Sequence, residues 1–354
     1  MCAKYKMPKP IIDEKEENSL NVLTEKFNKL IKPNIISKIS AKAGEIIPQK
    51  IKELGTGVGN NIAEQEIYIQ MMKYVGEGFN AIEEQAAKHS LTDEQIINKI
   101  NKKLECQIRE LDEICLLRSY EIESVISAYK TQDIFTAAIE GSLTGGLGFA
   151  GLPLNIVFST FLYFRAVQSI AMFYGYDVKN DSSELIIASE VFKSALNPID
   201  NPLENETAIV IGKIMVITQA EIVKQMASKT WFENASRNGI PLLITQIRAL
   251  ANNAAKKALD NAGKKGLENK IFSDVLEQLV KKVTKESLTK VSVGFSAIFG
   301  ALVDSVQMRK VLDYADIFYQ KRFIIEKEAR VVAFVKRKRW WIFYKIKNFF
   351  EINR

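Results

Sequence analysis

Arg165 is the charged residue whose position says most about the chemistry of this chain. It is flanked by an uncharged run from Gly141 to Phe164 and by a second one from Ala166 to Tyr176. A guanidinium group in apolar surroundings carries a large desolvation cost unless an anionic group pairs with it. We therefore predict that Arg165 contacts Glu140 or Asp304, either in a buried polar clamp that fixes helix packing or in a site for an anionic ligand.

Other residue types that often perform catalysis are sparse or poorly placed. Gly146 to Gly151 spells G-x-G-x-x-G, but a dinucleotide site needs a preceding strand and an acidic residue about 20 positions later, and the sequence shows neither. His89 is the only histidine, and the cysteines Cys2, Cys106 and Cys115 lack metal-ligand spacing. The sequence thus indicates no catalytic residue, no metal site and no cofactor.

The elements that must position Arg165 are helical. No alternating apolar pattern of useful length occurs, so the sequence predicts an all-α fold, a multi-helix domain organised around two glycine-rich apolar helices. Small residues at helical spacing let a second backbone approach closely, and we expect the two helices to pack through these faces. The small residues of the first are Ala137, Gly141, Gly145 and Gly148, and those of the second are Gly294, Ala297, Ala301 and Ser305.

The uncharged segment 141–164 raises the question of membrane insertion. It is long enough to span a hydrocarbon core of about 30 Å, but it contains five glycines, Pro153 and Asn155. Three interpretations fit: a buried pair of helices broken at Pro153, a hairpin that dips into one leaflet, or a true span. The second uncharged segment, 291–303, is too short to span.

The rest of the chain predicts three regions. Residues 1–62 form a polar and helical N-terminal appendage that is partly disordered, residues 63–325 form the helical domain, and residues 326–354 form a tail. Within the domain, Thr92 and Gln95 have the spacing of a capping box, and we expect one long amphipathic helix from there to about Lys130. Asp177 and the polar residues 180–183 predict a turn and a helix N-cap.

The tail concentrates the positive charge of the protein. The formal net charge is +7, and residues 331–354 hold seven cationic side chains and one acidic side chain. Basic residues attract anionic lipid, and tryptophan favours the membrane interface. The predicted membrane-binding residues are Lys336, Arg337, Lys338, Arg339, Trp340, Trp341, Lys345 and Lys347. Packing of these aromatic residues on the domain is the alternative; nucleic acid is not an expected partner, because the remaining surface is not basic.

The central segment resembles the EcsC protein family over about residues 65–325. The resemblance rests on a glycine-rich run, on G-F-A-G-L-P from Gly148 to Pro153, on A-x-x-Y-G-Y-D from Ala171 to Asp177, and on an apolar patch from Val293 to Ala301. Asn155 stands where the family commonly has aspartate, and Asp304 where it commonly has asparagine. The motif residues in this sequence are Gly145, Gly148, Gly151, Pro153, Tyr174, Gly175, Asp177, Gly294 and Gly300.

The resemblance implies a bacterial, all-helical, membrane-associated protein of a family named for a gene beside an ABC exporter. We accordingly expect a non-enzymatic accessory protein at the cytoplasmic face of the membrane, with an anionic membrane surface as partner and a transporter or another protein as a second one. Two alternatives stay open: an enzyme or binding protein for a lipid or amphiphile, and a soluble helical module that binds a protein partner.

Overall fold

The fold is helical throughout the part of the chain that the structure describes. This structure, a computed structural model, describes residues 7–31, 91–130, 152–196, 206–216, 239–289 and 305–352, and the helical residues 69 and 73. Within these ranges there is no strand, which confirms the predicted all-α class. The glycine-rich segments 131–151 and 290–304 lie outside the described residues, so their mutual packing stays a prediction.

Eight α-helices and one 3₁₀ helix follow one another along the described ranges. Gly263, with φ of 67° and ψ of 172°, interrupts the long helix Gly239–Thr289 at the position where glycines flank two lysines in the sequence. The elements are α1 (Glu14–Ile31), α2 (Asp93–Leu104), the 3₁₀ helix (Leu111–Leu116), α3 (Ser119–Tyr129), α4 (Leu152–Phe173), α5 (Ser182–Leu196), α6 (Glu206–Met215), α7 (Gly239–Thr289) and α8 (Ser305–Ile352).

Helix α8 is the central element of the described core. It packs against α1, the 3₁₀ helix, α3, α4, α5, α6 and α7. Its residues from Val311 to Lys327 are buried with the single exception of Asp313, which is partly buried. A helix that is covered on all sides is normally apolar all round, yet this stretch contains four buried charged residues in its last two turns: Lys321, Arg322, Glu326 and Lys327.

Helix α1 belongs to this core, which corrects the expectation of an N-terminal appendage. Leu20, Leu23 and Phe27 form one apolar face and are buried, and the Phe27 ring packs edge-on against Tyr314 with the ring centroids 5.8 Å apart. Because an amphipathic helix is stabilised mainly by burial of its apolar face, α1 docks on the domain. Residues 14–19, part of the appendage that was expected to be partly disordered, form the first turns of this helix.

The single long helix expected from Thr92 to Lys130 is also wrong. The predicted capping box at Thr92 is confirmed, but α2 ends at Glu105, which has a φ of 50°. The side chain of Asn101 then holds the following segment against α2. Its Nδ2 donates to the carbonyl of Ile108 at 2.7 Å, and its Oδ1 accepts from the Ile108 amide at 2.7 Å. Because this asparagine replaces helical hydrogen bonds by its own, the chain leaves the helix.

The expected division at residue 326 does not occur in the backbone, since α8 runs from Ser305 to Ile352. Its buried face continues past that position through Val331 and Phe334, which pack against Cys115 of the 3₁₀ helix. The domain core therefore extends to Phe334, and the basic segment that follows is the end of a core helix. The turn at Asp177 and the N-cap that precedes α5 are confirmed: Asp177 Oδ1 accepts from the Asn180 amide, and Asp181 Oδ1 from the Ser183 amide.

The docking of α1 gives a first testable prediction. Glu16 is fully buried, and its carboxylate accepts hydrogen bonds from Lys327 at 2.6 Å and from the amide of Ser119 at 2.8 Å. Glu16→Gln removes the negative charge but leaves the buried lysine, so we expect the free energy of unfolding to fall by about 3–5 kcal/mol.

Urea unfolding followed by circular dichroism measures this change. Glu25→Gln is the matched control, because Glu25 lies on the same helix but is exposed; it should change the stability by less than about 0.5 kcal/mol. Equal effects of the two substitutions would contradict a core role for α1.

Candidate functional site

The candidate site is a network of buried charges along α8, and Arg322 lies at its centre. Arg322 and Glu326 are four residues apart and therefore share one face of the helix, where Nε donates to Oε1 at 3.0 Å. The guanidinium group also donates both terminal nitrogens to Glu184, at 2.6 and 2.7 Å. Such a two-pronged pair fixes direction as well as distance, so α8 and the first turn of α5 are held in one register.

The carboxylate of Glu326 receives further hydrogen bonds from outside α8. Arg248 of α7 donates to Oε2 at 3.2 Å, and the hydroxyl of Tyr176 donates to the same oxygen at 3.2 Å. Burial by itself raises the pKa of Glu326. The positive charges of Arg322, Arg248 and Arg330 outweigh burial and lower this pKa to about 2. Glu326 is therefore an anion at every physiological pH and serves as a permanent counter-ion.

Tyr176 lies between two arginines. The guanidinium carbon of Arg322 is 4.0 Å from the centroid of the ring, and that of Arg330 is 4.4 Å from it. Cations over an aromatic face are attracted by the negative charge of that face. Burial, followed by the charge of Glu326, raises the pKa of this tyrosine well above its ordinary range. Tyr176 thus stays protonated and keeps donating to Glu326.

The surroundings of Gly175 explain why the A-x-x-Y-G-Y-D motif has a glycine between its two tyrosines. Its φ is +77°, and Arg330 approaches so closely that its two terminal nitrogens donate to the carbonyl oxygens of Tyr174, at 2.9 Å, and Gly175, at 2.8 Å. A Cβ atom at this position would lie 2.5 Å from Arg330 Nη2 and 2.7 Å from the carbonyl oxygen of Leu111. Both the conformation and the contact therefore require glycine.

Tyr174 connects the motif to a second charged group. Its hydroxyl donates to Asp316 Oδ1 at 2.8 Å, and Lys130 donates to Asp316 Oδ2 at 2.7 Å and to Asp313 at 3.0 Å. A third group lies beside α1, where Lys327 and Arg118 both contact Glu16. Helix α8 contributes to all three groups, so its neighbours are fastened to it by charge as well as by apolar packing.

Lys321 is buried in a different setting. Its Nζ donates to Thr24 Oγ1 at 2.6 Å and to the carbonyl of Met215, the last residue of α6. Carbonyl groups at a helix C-terminus lack intrahelical partners and carry a partial negative charge, so this lysine caps α6 and joins it to α1. Burial lowers its pKa to about 7.

Arg165 has an acidic partner that the sequence analysis did not predict. Its Nη2 lies 2.9 Å from Glu268 Oε1 and donates to Oε2 at 3.0 Å, so α4 and α7 are joined by an ion pair that is largely buried. The predicted partners Glu140 and Asp304 lie outside the described residues. The interpretation as a clamp between helices is supported by Glu268, while an anionic ligand at Arg165 is untested.

Of the remaining predicted residues, Pro153 and Asp177 lie within the described ranges. Pro153 lies in the first turn of α4, where a proline is tolerated, and Asp177 forms the turn before α5. The motif glycines Gly145, Gly148, Gly151, Gly294 and Gly300 lie outside the described residues. His89 and Cys2 do as well.

The basic end of α8 makes two ion pairs with the segment around the 3₁₀ helix. Arg337 pairs with Asp112, and Lys338 pairs with Glu110. Lys336 is exposed. The backbone of Arg339, Trp340, Trp341, Lys345 and Lys347 is helical, but their side chains are not among those described. Two of the eight predicted membrane-binding residues therefore already have acidic partners within the protein.

Sequence reasoning missed most of the network, including Glu16, Glu184, Arg322, Glu326 and Lys327. A signal was present: Lys-Arg at 321–322 is flanked by the apolar runs 317–319 and 323–325, and Glu-Lys follows directly at 326–327. Charges on all faces of an apolar helix predict buried ion pairs, but the partners are too distant in the chain to be named from the sequence.

The network is suited to holding helices together. Its acids and bases neutralise each other, and the hydrogen bonds leave them little freedom to bind a substrate. Among the described residues, no group of three or more histidine, cysteine, aspartate and glutamate side chains is arranged to hold a metal ion.

The sequence profile of the EcsC protein family matches residues 12–324. The match begins just before α1, in agreement with the place of this helix in the core. No curated protein matches the chain, and no solved structure matches it.

The contact at Gly175 gives a second prediction. Gly175→Ala adds a Cβ atom to a left-handed residue that already touches Arg330 and the backbone of Leu111. We expect a loss of about 2–4 kcal/mol in the free energy of unfolding, from backbone strain and from displacement of the neighbours. Thermal unfolding by differential scanning calorimetry measures it.

Gly263→Ala is the matched control, because Gly263 also has a positive φ but no atom lies within 4 Å of a Cβ built there. With φ of 67° and ψ of 172°, it reports backbone strain without any steric contact. A Gly175→Ala protein within about 1 kcal/mol of the unmodified protein would disprove the close contact.

Lys321 gives a third prediction, on pH dependence. The unfolded chain keeps a proton on this lysine up to a pKa of 10.5, whereas the folded protein releases it at about 7. The unfolded state therefore binds more protons between these values, and the free energy of unfolding rises with pH. One such group contributes about 1.4 kcal/mol per pH unit within the window. Burial also lowers the pKa of Lys327, which adds to the rise.

Urea unfolding at about pH 7.5 and about pH 8.5 tests this linkage. The unmodified protein should gain stability over this interval, and Lys321→Met should remove on the order of 1 kcal/mol of that gain. Lys103→Met, on the exposed face of α2, should keep it. Parallel pH curves for the unmodified protein and Lys321→Met would show that this lysine does not titrate in the folded state.

Proposed function

The chain belongs to the EcsC protein family, and from this premise we propose that it is a membrane-associated protein without enzymatic activity. It sits at the cytoplasmic face of a bacterial membrane, where the basic, aromatic end of α8 binds anionic lipid. The helical domain then acts as an accessory to a membrane process, such as transport, by presenting its surface to a membrane-bound partner.

One observation carries this proposal: the basic, aromatic segment is continuous with the helix at the centre of the core. The buried face of helix α8 extends to Phe334, and the helix continues without interruption to Ile352. At 1.5 Å per residue, this last part is about 27 Å long. Because no loop separates it from the core, a membrane that binds this segment also fixes the orientation of the domain.

The composition of the segment suits an interface with anionic lipid. Lys336, Arg339, Lys345 and Lys347 supply positive charge, and each basic residue near an anionic surface contributes about 1 kcal/mol. Trp340, Trp341 and Tyr344 have side chains that prefer the level of the lipid head groups. Arg337 and Lys338 contribute less, because binding to lipid must replace their ion pairs with Asp112 and Glu110.

The charge network also favours this proposal over an enzyme at the same residues. An enzyme built around Arg165 would present polar groups to a cavity, whereas the described contacts join Arg165 to Glu268 and Arg322 to Glu184 in helix-to-helix pairs. These contacts support a mechanical role. A soluble module that binds another protein through the same segment is the competing outcome of the experiment below.

Flotation with liposomes tests the proposal. Arg339→Gln, Lys345→Gln and Lys347→Gln together remove three positive charges from the end of α8. With vesicles of phosphatidylcholine and phosphatidylglycerol, we expect the affinity of this variant to fall about 100-fold, because three charges contribute about 3 kcal/mol. The unmodified protein should not float with pure phosphatidylcholine.

The matched control removes three exposed lysines elsewhere, Lys102, Lys103 and Lys256, by the same change to glutamine. It has the same net charge as the test variant and should bind the anionic vesicles as the unmodified protein does. If both variants lose affinity equally, the attraction is a property of the whole surface. If the unmodified protein does not float, the proposal fails and the segment is better explained as a docking site for a protein.

A further inference from the structure

Two acidic residues lie beside the place where α8 leaves the core. Glu110 and Asp112 stand on either side of Leu111, at the start of the 3₁₀ helix. Asp112 pairs with Arg337 and Glu110 pairs with Lys338, so two consecutive cations of α8 meet acids of one short segment. The four charged side chains are between 27% and 53% exposed, so anionic lipid can reach these cations and compete for them.

The two acids are held in place by the core. Leu111 and Ile114, on the two sides of Asp112, are buried. The amide of Glu113 donates to the carbonyl of Glu110 at 3.0 Å, which fixes the first turn of the 3₁₀ helix. Because their backbone is anchored, the two carboxylates stay in position when the end of α8 is attracted to another partner.

The two cations have a second contact on the same side of α8. The ring of Phe334 is buried against Cys115, and its centroid lies 5.9 Å from the guanidinium carbon of Arg337 and 5.4 Å from the Nζ of Lys338. A cation near an aromatic ring at this distance is attracted to it. Lipid must therefore compete with a carboxylate and with a ring for each of the two cations.

Ion pairs with this exposure contribute little to folding stability, but they oppose lipid binding in two ways. A cation that is paired within the protein attracts anionic lipid only after its pair has opened. The carboxylate that is released then faces the same negative surface and repels it. Screening limits this repulsion to about 8 Å at physiological ionic strength, so acids elsewhere on the domain have a much smaller effect.

We propose that Glu110 and Asp112 form an intramolecular inhibitor of membrane binding by the end of α8. By holding Arg337 and Lys338, they lower the affinity for anionic membranes and restrict stable binding to surfaces whose negative charge is dense enough to displace two carboxylates. This inference rests on the proposed function and names the regulation of the same segment.

Flotation of the full chain with vesicles of phosphatidylcholine, in which the fraction of phosphatidylglycerol is raised in steps, tests the inhibition. The acid variant, Glu110→Gln with Asp112→Asn, should bind about tenfold more tightly than the unmodified protein, because two pairs no longer have to open. It should also float at a lower fraction of phosphatidylglycerol. The matched control, Glu25→Gln with Asp260→Asn, removes two exposed acids from α1 and α7 and should leave the affinity within about twofold.

A second pair of substitutions shows whether the acids act through the ion pairs. The cation variant, Arg337→Gln with Lys338→Gln, should lose only about threefold in affinity, because the acids already hold these cations. The same change made in the acid variant should cost about tenfold or more. With all four substitutions present, the protein should therefore bind as the cation variant does. All four side chains are partly or fully exposed, so the fold should be kept, and thermal unfolding of each variant checks this.

Equal affinities of the unmodified protein and the acid variant would overturn the inhibition, and the proposed function would stand as long as both float with anionic vesicles. An equal gain in the matched control would overturn it in favour of an effect of net charge. If removal of the acids raises the affinity by the same factor when Arg337 and Lys338 are absent, the acids repel lipid without holding the cations, and the inference fails. If neither the unmodified protein nor the acid variant floats, the proposed function and this inference both fail.

Discussion

The pairing of Arg322 with Glu184 and Glu326 is the interaction on which the rest of the described structure depends. A charge at the centre of a helical core is tolerated only when opposite charges are in hydrogen-bond contact with it, and here they come from α5 and from the next turn of α8. The same requirement draws in Arg248 and Tyr176 around Glu326. Removal of Arg322 would leave Glu184 and Glu326 without the counter-charge that they share in the core, so these three residues depend on one another.

This network gives the motif residues physical roles. Tyr176 is held between two guanidinium groups, Gly175 lets Arg330 reach the backbone, and Tyr174 extends the hydrogen bonds to Asp316. The motif therefore acts as the partner of α8 in packing. Helix α8 in turn connects the core to its own basic end, so the rigidity of the core extends into the segment that we propose to bind lipid.

Some features could be predicted because their causes are local. The capping box at Thr92 and the turn at Asp177 depend on side chains three residues apart. That Arg165 pairs with an acidic residue could be predicted because apolar residues flank it on both sides in the sequence. The error at residues 105–117 has the same kind of explanation: Asn101 bonds to Ile108 seven positions on, a contact that helical periodicity does not reveal.

The sequence by itself determined the helical class, the family, several helix ends and the presence of charges that needed partners. Only the tertiary structure decided which partners they found. Glu16 and Lys327 are 311 positions apart, and Arg165 and Glu268 are 103 positions apart. Every acid in the chain is chemically able to pair with a given arginine, and the choice depends on which helix faces meet when the apolar surfaces are buried. The same holds for α1. Its apolar face predicts that it packs against another helix, but the sequence does not indicate that this helix is α8.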